Sequence, residues 1–160
     1  MAKSPLSEPH LRQAILLSLE GVQAGLGGPF GALITRDGEP IARGQNQVTS
    51  SNDPTAHAEI VAIRAASKKL GSFDLSGCEI FSSCEPCPMC MAAILWAHLD
   101  GLTFAATRAD AAAAGFDDEE LYRQLALAPA ERDLPTRSAL RTEALTAFDA
   151  WRQKPDKTTY

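Results

Sequence analysis

The feature that most constrains this chain is a pair of short motifs. They are His57-Ala58-Glu59 and Cys84-Glu85-Pro86-Cys87-Pro88-Met89-Cys90. Cys87 and Cys90 are three residues apart. On a helix that spacing puts both sulfurs on one face, about one turn apart. Two thiolates and the His57 imidazole make a three-ligand zinc site with the fourth tetrahedral position open. An open position beside a carboxylate, Glu59, reads as catalytic zinc, because a structural site fills all four positions with protein. Two other readings compete. A Cys-x-x-Cys redox pair has no use for His57 or Glu59. A structural zinc knot would recruit Cys84 as the fourth ligand, and Pro86 argues against it. The residue before a proline is held extended and a helix starts after it, so Cys84 is expected at a strand end or in a loop. Cys78 lies in an apolar, strand-like run and reads as buried packing.

The chain has 160 residues, the size of one domain. Residues Met1 to His10 hold no apolar leader, and no stretch approaches a membrane span. Three of the four cysteines fall within seven residues, which is not a disulfide framework. A reducing cytoplasm is therefore the expected location. The net charge of -5 disfavours a nucleic-acid partner, since neutralising phosphates takes clustered Lys and Arg.

Along the chain, Ser7 and Pro9 begin an amphipathic helix. Its expected apolar stripe is Leu11, Ala14, Ile15, Leu19 and Val22, and Gly25, Gly27 and Gly28 end it. Residues 30–35 and 40–44 read as a β-hairpin turned at Asp37-Gly38. A polar loop, 45–52, precedes a second helix expected to start at Asp53-Pro54 and to run to about Leu70. His57 and Glu59 would lie in or near its first turn. Residues 78–82 form a strand, 87–97 a helix and 102–106 a strand. That βαβ unit makes the two strands parallel neighbours. After Arg108 the pattern weakens: an Ala run read as loop, a short helix near 121–127, breaks at Pro129 and Pro135, and a last helix over 143–152. One domain, 1–160, accounts for the whole pattern, with 154–160 as a polar tail.

Placed at helix N-termini, Cys87 and Cys90 would have lowered pKa values and be held as thiolates, the metal-binding form. Zinc with an open position activates water near neutral pH. Glu59 is not needed as a ligand, so it is free to move protons. The other reading of Glu59 is a first-turn carboxylate that merely complements the helix dipole.

His-x-Glu followed by Pro-Cys-x-x-Cys is the signature of zinc-dependent nucleobase deaminases. The chain resembles the cytidine/deoxycytidylate deaminase superfamily and, within it, the bacterial guanine deaminases nearly end to end. The resemblance rests on residues 28–32, 44–46, 49–59, 84–90, Ala113-Ala114-Gly115-Phe116-Asp117-Asp118 and the close Ala150-Trp151-Arg152 to Tyr160. It implies an α/β fold, a three-layer α/β/α sandwich around a five-stranded mixed sheet. It implies one zinc per chain and a homodimer whose exchanged C-terminal segment closes the partner's active site. It also implies that Asn46 hydrogen-bonds a purine, that Phe30 packs on the ring face and that Asp118 assists proton transfer at the leaving amine. Asp117 is the adjacent alternative, and Ala58 and Tyr160 complete the substrate-binding set. Without the resemblance, Asn46 reads as a loop residue, Phe30 as a core aromatic, Asp118 as a solvated helix start and Tyr160 as a frayed end. Trp96 is placed equally well near the pocket or in the core. His10 and His98 suit surface or capping roles.

Three other functions stand beside guanine deamination. tRNA adenosine deamination needs a basic surface. Cytosine or other small-ring deamination differs in pocket size. A structural zinc interaction domain would have no reason to keep Glu59 beside the metal.

Overall fold

The computed structural model describes residues 8–159. Ser7, expected to cap the first helix, and Tyr160 lie outside them. The chain forms two compact units, one ending at Asp118 and one starting at Glu119.

The first unit contains helix α1 (Glu8–Gln23), strands β1 (Gly31–Arg36) and β2 (Glu39–Gln45), and helices α2 (Val48–Ser51) and α3 (Ala58–Leu70). It continues through β3 (Cys78–Cys84), α4 (Pro88–Trp96), β4 (Gly101–Ala106) and α5 (Arg108–Ala113). The sheet order is β2-β1-β3-β4. β1 pairs antiparallel with both β2 and β3, and β3 pairs parallel with β4. The hairpin turns where expected. Asp37 and Gly38 both take positive φ, the backbone that a two-residue hairpin loop requires. The β3–α4–β4 unit likewise has the parallel pairing read from its length.

Both faces of the sheet are covered, because alternate β1 residues point to opposite sides. Ala32 and Ile34 join Ile80, Ala58, Ala62, Ala66 and Ile94 in one core cluster, beneath α3 and α4. Leu33 packs with Ala14 and Phe81 beneath α1. Each fully buried Leu or Ile in these layers stabilises by ~1.5–3 kcal/mol. The helices approach closely at two glycines. A methyl on Gly31 would sit 2.3 Å from the Ala14 carbonyl oxygen, and one on Gly44 would sit 2.0 Å from that of Ala58. The Gly44 approach seats the start of α3, and with it His57 and Glu59, directly on β2.

Five expectations need correction. The loop expected over 45–52 holds the short helix α2 (Val48–Ser51). Among the described residues the sheet has four strands, not five. After β4 the chain enters helices, and residues 107–160 contain no alternating run of β-branched residues from which a fifth strand could be built. The α1 stripe is also rotated. Ala14 and Gly21 are buried, whereas Ile15, Leu19 and Val22 are 44%, 53% and 45% exposed. Small residues face the sheet because the backbones approach too closely for large ones.

The second helix starts at Ala58 rather than at Asp53-Pro54, with His57 as its N-cap. The Asp53 carboxylate is occupied locally, accepting from the Thr55 amide at 2.8 Å and the Thr55 hydroxyl at 2.7 Å. That turn delays the helix. Finally, the Ala run is helix α5, not loop. Thr107 and Asp110 close a reciprocal capping box at its start, which nucleates a helix in an otherwise short segment.

The second unit holds α6 (Glu119–Ala126), a 3-10 turn at Pro129–Glu131 and α7 (Arg141–Gln153). Arg123 ties α6 to the segment after it by pairing with both Glu120 and Asp133, at 2.7 and 2.6 Å. No helix among the described residues is long and apolar enough to cross a membrane.

Candidate active site and metal centre

Two helix starts meet at the site. His57 caps α3 and Cys87 caps α4, both with extended backbone. Pro88 occupies the first turn of α4, where its missing N–H costs nothing. Cys90 lies one turn into the same helix and is fully buried. The His57 Nδ1 lies 3.5 Å from the Cys87 Sγ and 3.5 Å from the Cys90 Sγ. All three donor atoms fall within 4.8 Å of one another.

This donor set fits zinc. Bond lengths of ~2.3 Å to sulfur and ~2.0–2.1 Å to nitrogen at a tetrahedral angle put the N and S ligands about 3.5 Å apart, as found. Cys84 is not part of the group. It ends β3, and its thiol points to the Thr107 carbonyl oxygen at 3.6 Å. Three protein donors and an open position are what a catalytic site needs, so the four-cornered structural knot loses its fourth corner.

The electrostatics favour binding a cation. The Cys87 thiol is lowered to about 4, mainly because the Cys90 thiol donates to it, and His57 adds to the effect. Cys90 is pushed upward by that same contact and by burial. The lowered thiol of Cys87 favours the thiolate, the form that binds a metal. His57 is raised by its contact with Cys87, against the opposing effect of burial.

Glu59, in the first turn of α3, is only 5% exposed. Burial raises its pKa above the ordinary carboxylate range. The Ser82 hydroxyl on β3 donates to its Oε1 at 3.0 Å. Glu59 is thus a buried carboxylate beside the metal ligands, held by a neutral donor and not by a cation.

The other expected residues are placed as follows. Asn46 is buried just past the end of β2, and its Oδ1 accepts from the amides of Gly28 and Val48 at 3.1 and 3.2 Å. Its carbonyl is committed to the backbone, and the NH2 is its remaining polar group. Phe30 meets Phe116 edge-on, with ring centroids 5.0 Å apart. A methyl on Gly28 would crowd both rings, at 3.1 and 3.2 Å. Ala58 is fully buried and its methyl belongs to the core. Asp118 is partly buried, and its pKa is raised first by desolvation and then by the charge of Cys87. Tyr160 lies outside the described residues.

Trp96 does not pack inside the fold. It is 63% exposed at the far end of α4 from Cys87. His98 pairs with Asp74 at 3.6 Å on the surface, and His10 packs against Phe81. Two contacts to the expected residues, Phe116 to Phe30 and Ser82 to Glu59, were not read from sequence. Phe116 lay inside a motif but carried no signal for its partner. Ser82 lay outside every motif.

The zinc-binding region of cytidine and deoxycytidylate deaminases matches residues 6–106. The chain belongs to this deaminase family. Its resemblance extends past the zinc region. A guanine deaminase from Bacillus subtilis (strain 168) is 51% identical over 153 residues, covering 96% of this chain and 98% of that protein. An X-ray structure of guanine deaminase from Bacillus subtilis superimposes with a TM-score of 0.94 at 50% identity, covering 98% and 99% of the two chains. A tRNA-specific adenosine deaminase from Aquifex aeolicus is 41% identical, but over 78 residues, 49% of this chain and 52% of that one. That sequence match spans about half of this chain.

Proposed function

We infer that this chain catalyses the zinc-dependent hydrolytic deamination of guanine to xanthine and ammonia. The observation that carries the chemistry is the convergence of His57, Cys87 and Cys90 beside a buried carboxylate that is not needed as a ligand. The end-to-end similarity to guanine deaminase carries the substrate. A purely structural zinc domain gains nothing from burying Glu59, which costs stability when the group is charged.

In this reading His57, Cys87 and Cys90 hold one zinc ion. When bound, it supplies Lewis acidity and activates water at neutral pH. Glu59 takes one proton from the attacking water and delivers it to the ring nitrogen beside the amine-bearing carbon; it then takes the second from the hydroxyl added at that carbon and gives it to the amine, which leaves as ammonia. Its raised pKa suits a group that must both accept and release protons. Asp118 assists at the leaving amine; desolvation raises its pKa from the ordinary carboxylate range. The Asn46 NH2 donates to an acceptor on the purine edge. Phe30, braced by Phe116, packs on the ring face, and Ala58 backs the same wall.

The substrate is tested by incubating the purified, zinc-loaded protein with guanine, adenine, cytosine and a tRNA anticodon stem-loop. Ammonia release and the ultraviolet shift from guanine to xanthine are monitored. Turnover of guanine is the expected result. Turnover of cytosine or of RNA adenosine without guanine would replace the substrate and leave the deaminase assignment standing. The net charge of -5 disfavours the RNA substrate.

We further propose that the protein works in the cytoplasm as a homodimer of single deaminase domains, with residues 154–160 laid over the partner's active site. Tyr160 brings an apolar ring and a hydroxyl, groups suited to covering a purine and excluding water. Deleting Pro155 to Tyr160 is expected to leave zinc content intact and sharply reduce guanine turnover. Mixing truncated chains with full-length Glu59→Gln chains under subunit exchange should restore part of the activity. One site in each mixed dimer then has Glu59 and the partner's intact tail. Activity that stays low after exchange would place the tail on its own chain. Full activity of the truncated protein would dismiss the lid.

A further inference from the structure

Ser82 is 1% exposed, near the end of β3, opposite Ala32 in the neighbouring strand. Alternation along β3 puts it on the same face as Ile80, beneath α3. Burying a hydroxyl there costs stability unless it is hydrogen-bonded, and an alanine would fill the position without that cost. The hydroxyl donates to Glu59 Oε1 at 3.0 Å, between a strand and the first turn of a helix. Both ends of the contact are anchored in regular structure. The terminal torsion of a glutamate is otherwise broad, so an untied carboxylate turns easily.

We propose that Ser82 is a positioning residue: it fixes Oε1 of Glu59 and so presents Oε2 for proton transfer. The inference rests on the deaminase reading above. A carboxylate that must meet a water, a ring nitrogen, the added hydroxyl and a departing amine in turn has to keep one orientation through each proton movement. Misplacing a catalytic group by about 1 Å costs on the order of 100-fold. The hydrogen bond of the Ser82 side chain runs to Glu59. Its effect passes through Glu59 alone, so it belongs to the rate and not to substrate affinity.

The test is steady-state guanine kinetics on the full-length, zinc-loaded protein, its Ser82→Ala and Glu59→Gln variants, and the double variant. Ser82→Ala is expected to lower kcat by roughly 10- to 100-fold with KM within about twofold and zinc content unchanged. In the Glu59→Gln background the same change should cost less than about twofold, because the group it positions no longer carries a proton. Ser82→Thr, which keeps the hydroxyl at a strand position that suits β-branched residues, should hold kcat within about threefold of wild type. A wild-type kcat in Ser82→Ala would overturn the proposal. So would losses that multiply in the double variant, or a Thr variant as impaired as the Ala variant, which would mark packing and not the hydroxyl. A wild-type protein inert on guanine would instead sink the substrate assignment, and this inference with it.

Discussion

Glu59→Gln is expected to bind zinc as the native protein does and to lose ~10²–10⁴-fold of guanine turnover, the range for a general acid–base group. The substitution keeps the shape of the side chain. Its amide oxygen can still accept from Ser82, which lies 3.0 Å from Oε1 in the native chain. Glu59 is 5% exposed, so bulk water cannot easily replace the lost proton carrier. Folding should not suffer, because a neutral amide is cheaper to bury than a carboxylate that burial already disfavours. Metal content by elemental analysis, taken together with kcat, separates the outcomes. Near-native turnover in the zinc-loaded variant would remove Glu59 from the mechanism. Loss of zinc would make it a ligand or a structural support of one.

The second large effect is expected at the metal. Cys87→Ala should strip the protein of zinc and abolish measurable activity, whereas Cys84→Ala should keep about one equivalent and most of its turnover. Two protein donors do not make a tetrahedral zinc site, and removing one of three leaves only His57 and Cys90. Cys87 is also the sulfur whose pKa is held down to about 4, so it is ready to bind metal without first giving up a proton. Cys84 is directed at the Thr107 carbonyl instead, and its loss removes one weak contact and a small buried volume. Zinc lost from the Cys84 variant but kept in the Cys87 variant would reverse the ligand assignment.

The three candidate metal ligands were legible in sequence because their grammar is local. A Pro-Cys-x-x-Cys run starts a helix and puts two sulfurs on one face within a single turn. His57 and Glu59, two residues apart, also lie at a helix start. The boundary of that helix was less legible. Asp53-Pro54 has the composition of a helix start, but Thr55 engages the Asp53 carboxylate first. The Thr107–Asp110 box shows the opposite: its capping signal was present, but the Ala run beyond it reads equally well as loop. On α1 the large apolar residues misled, because the face that meets the sheet is chosen by how closely backbones approach at Gly31.

Sequence alone, then, determined the chemistry of the site: which side chains can hold a metal, and which carboxylate stands beside them. It could not determine that His57 and Cys87, thirty residues apart, converge to 3.5 Å. Nor could it show that Ser82 reaches Glu59, that Phe116 braces Phe30, or that the Asn46 carbonyl is committed to the backbone. Those contacts were decided by tertiary structure. α3 settles onto β2 at Gly44, and α4 succeeds β3 in a βαβ unit, so two helix starts arrive at one place on the sheet. A helical turn places residues three or four apart from local geometry alone. Partners from different elements meet only where the sheet and its packed faces bring those elements together.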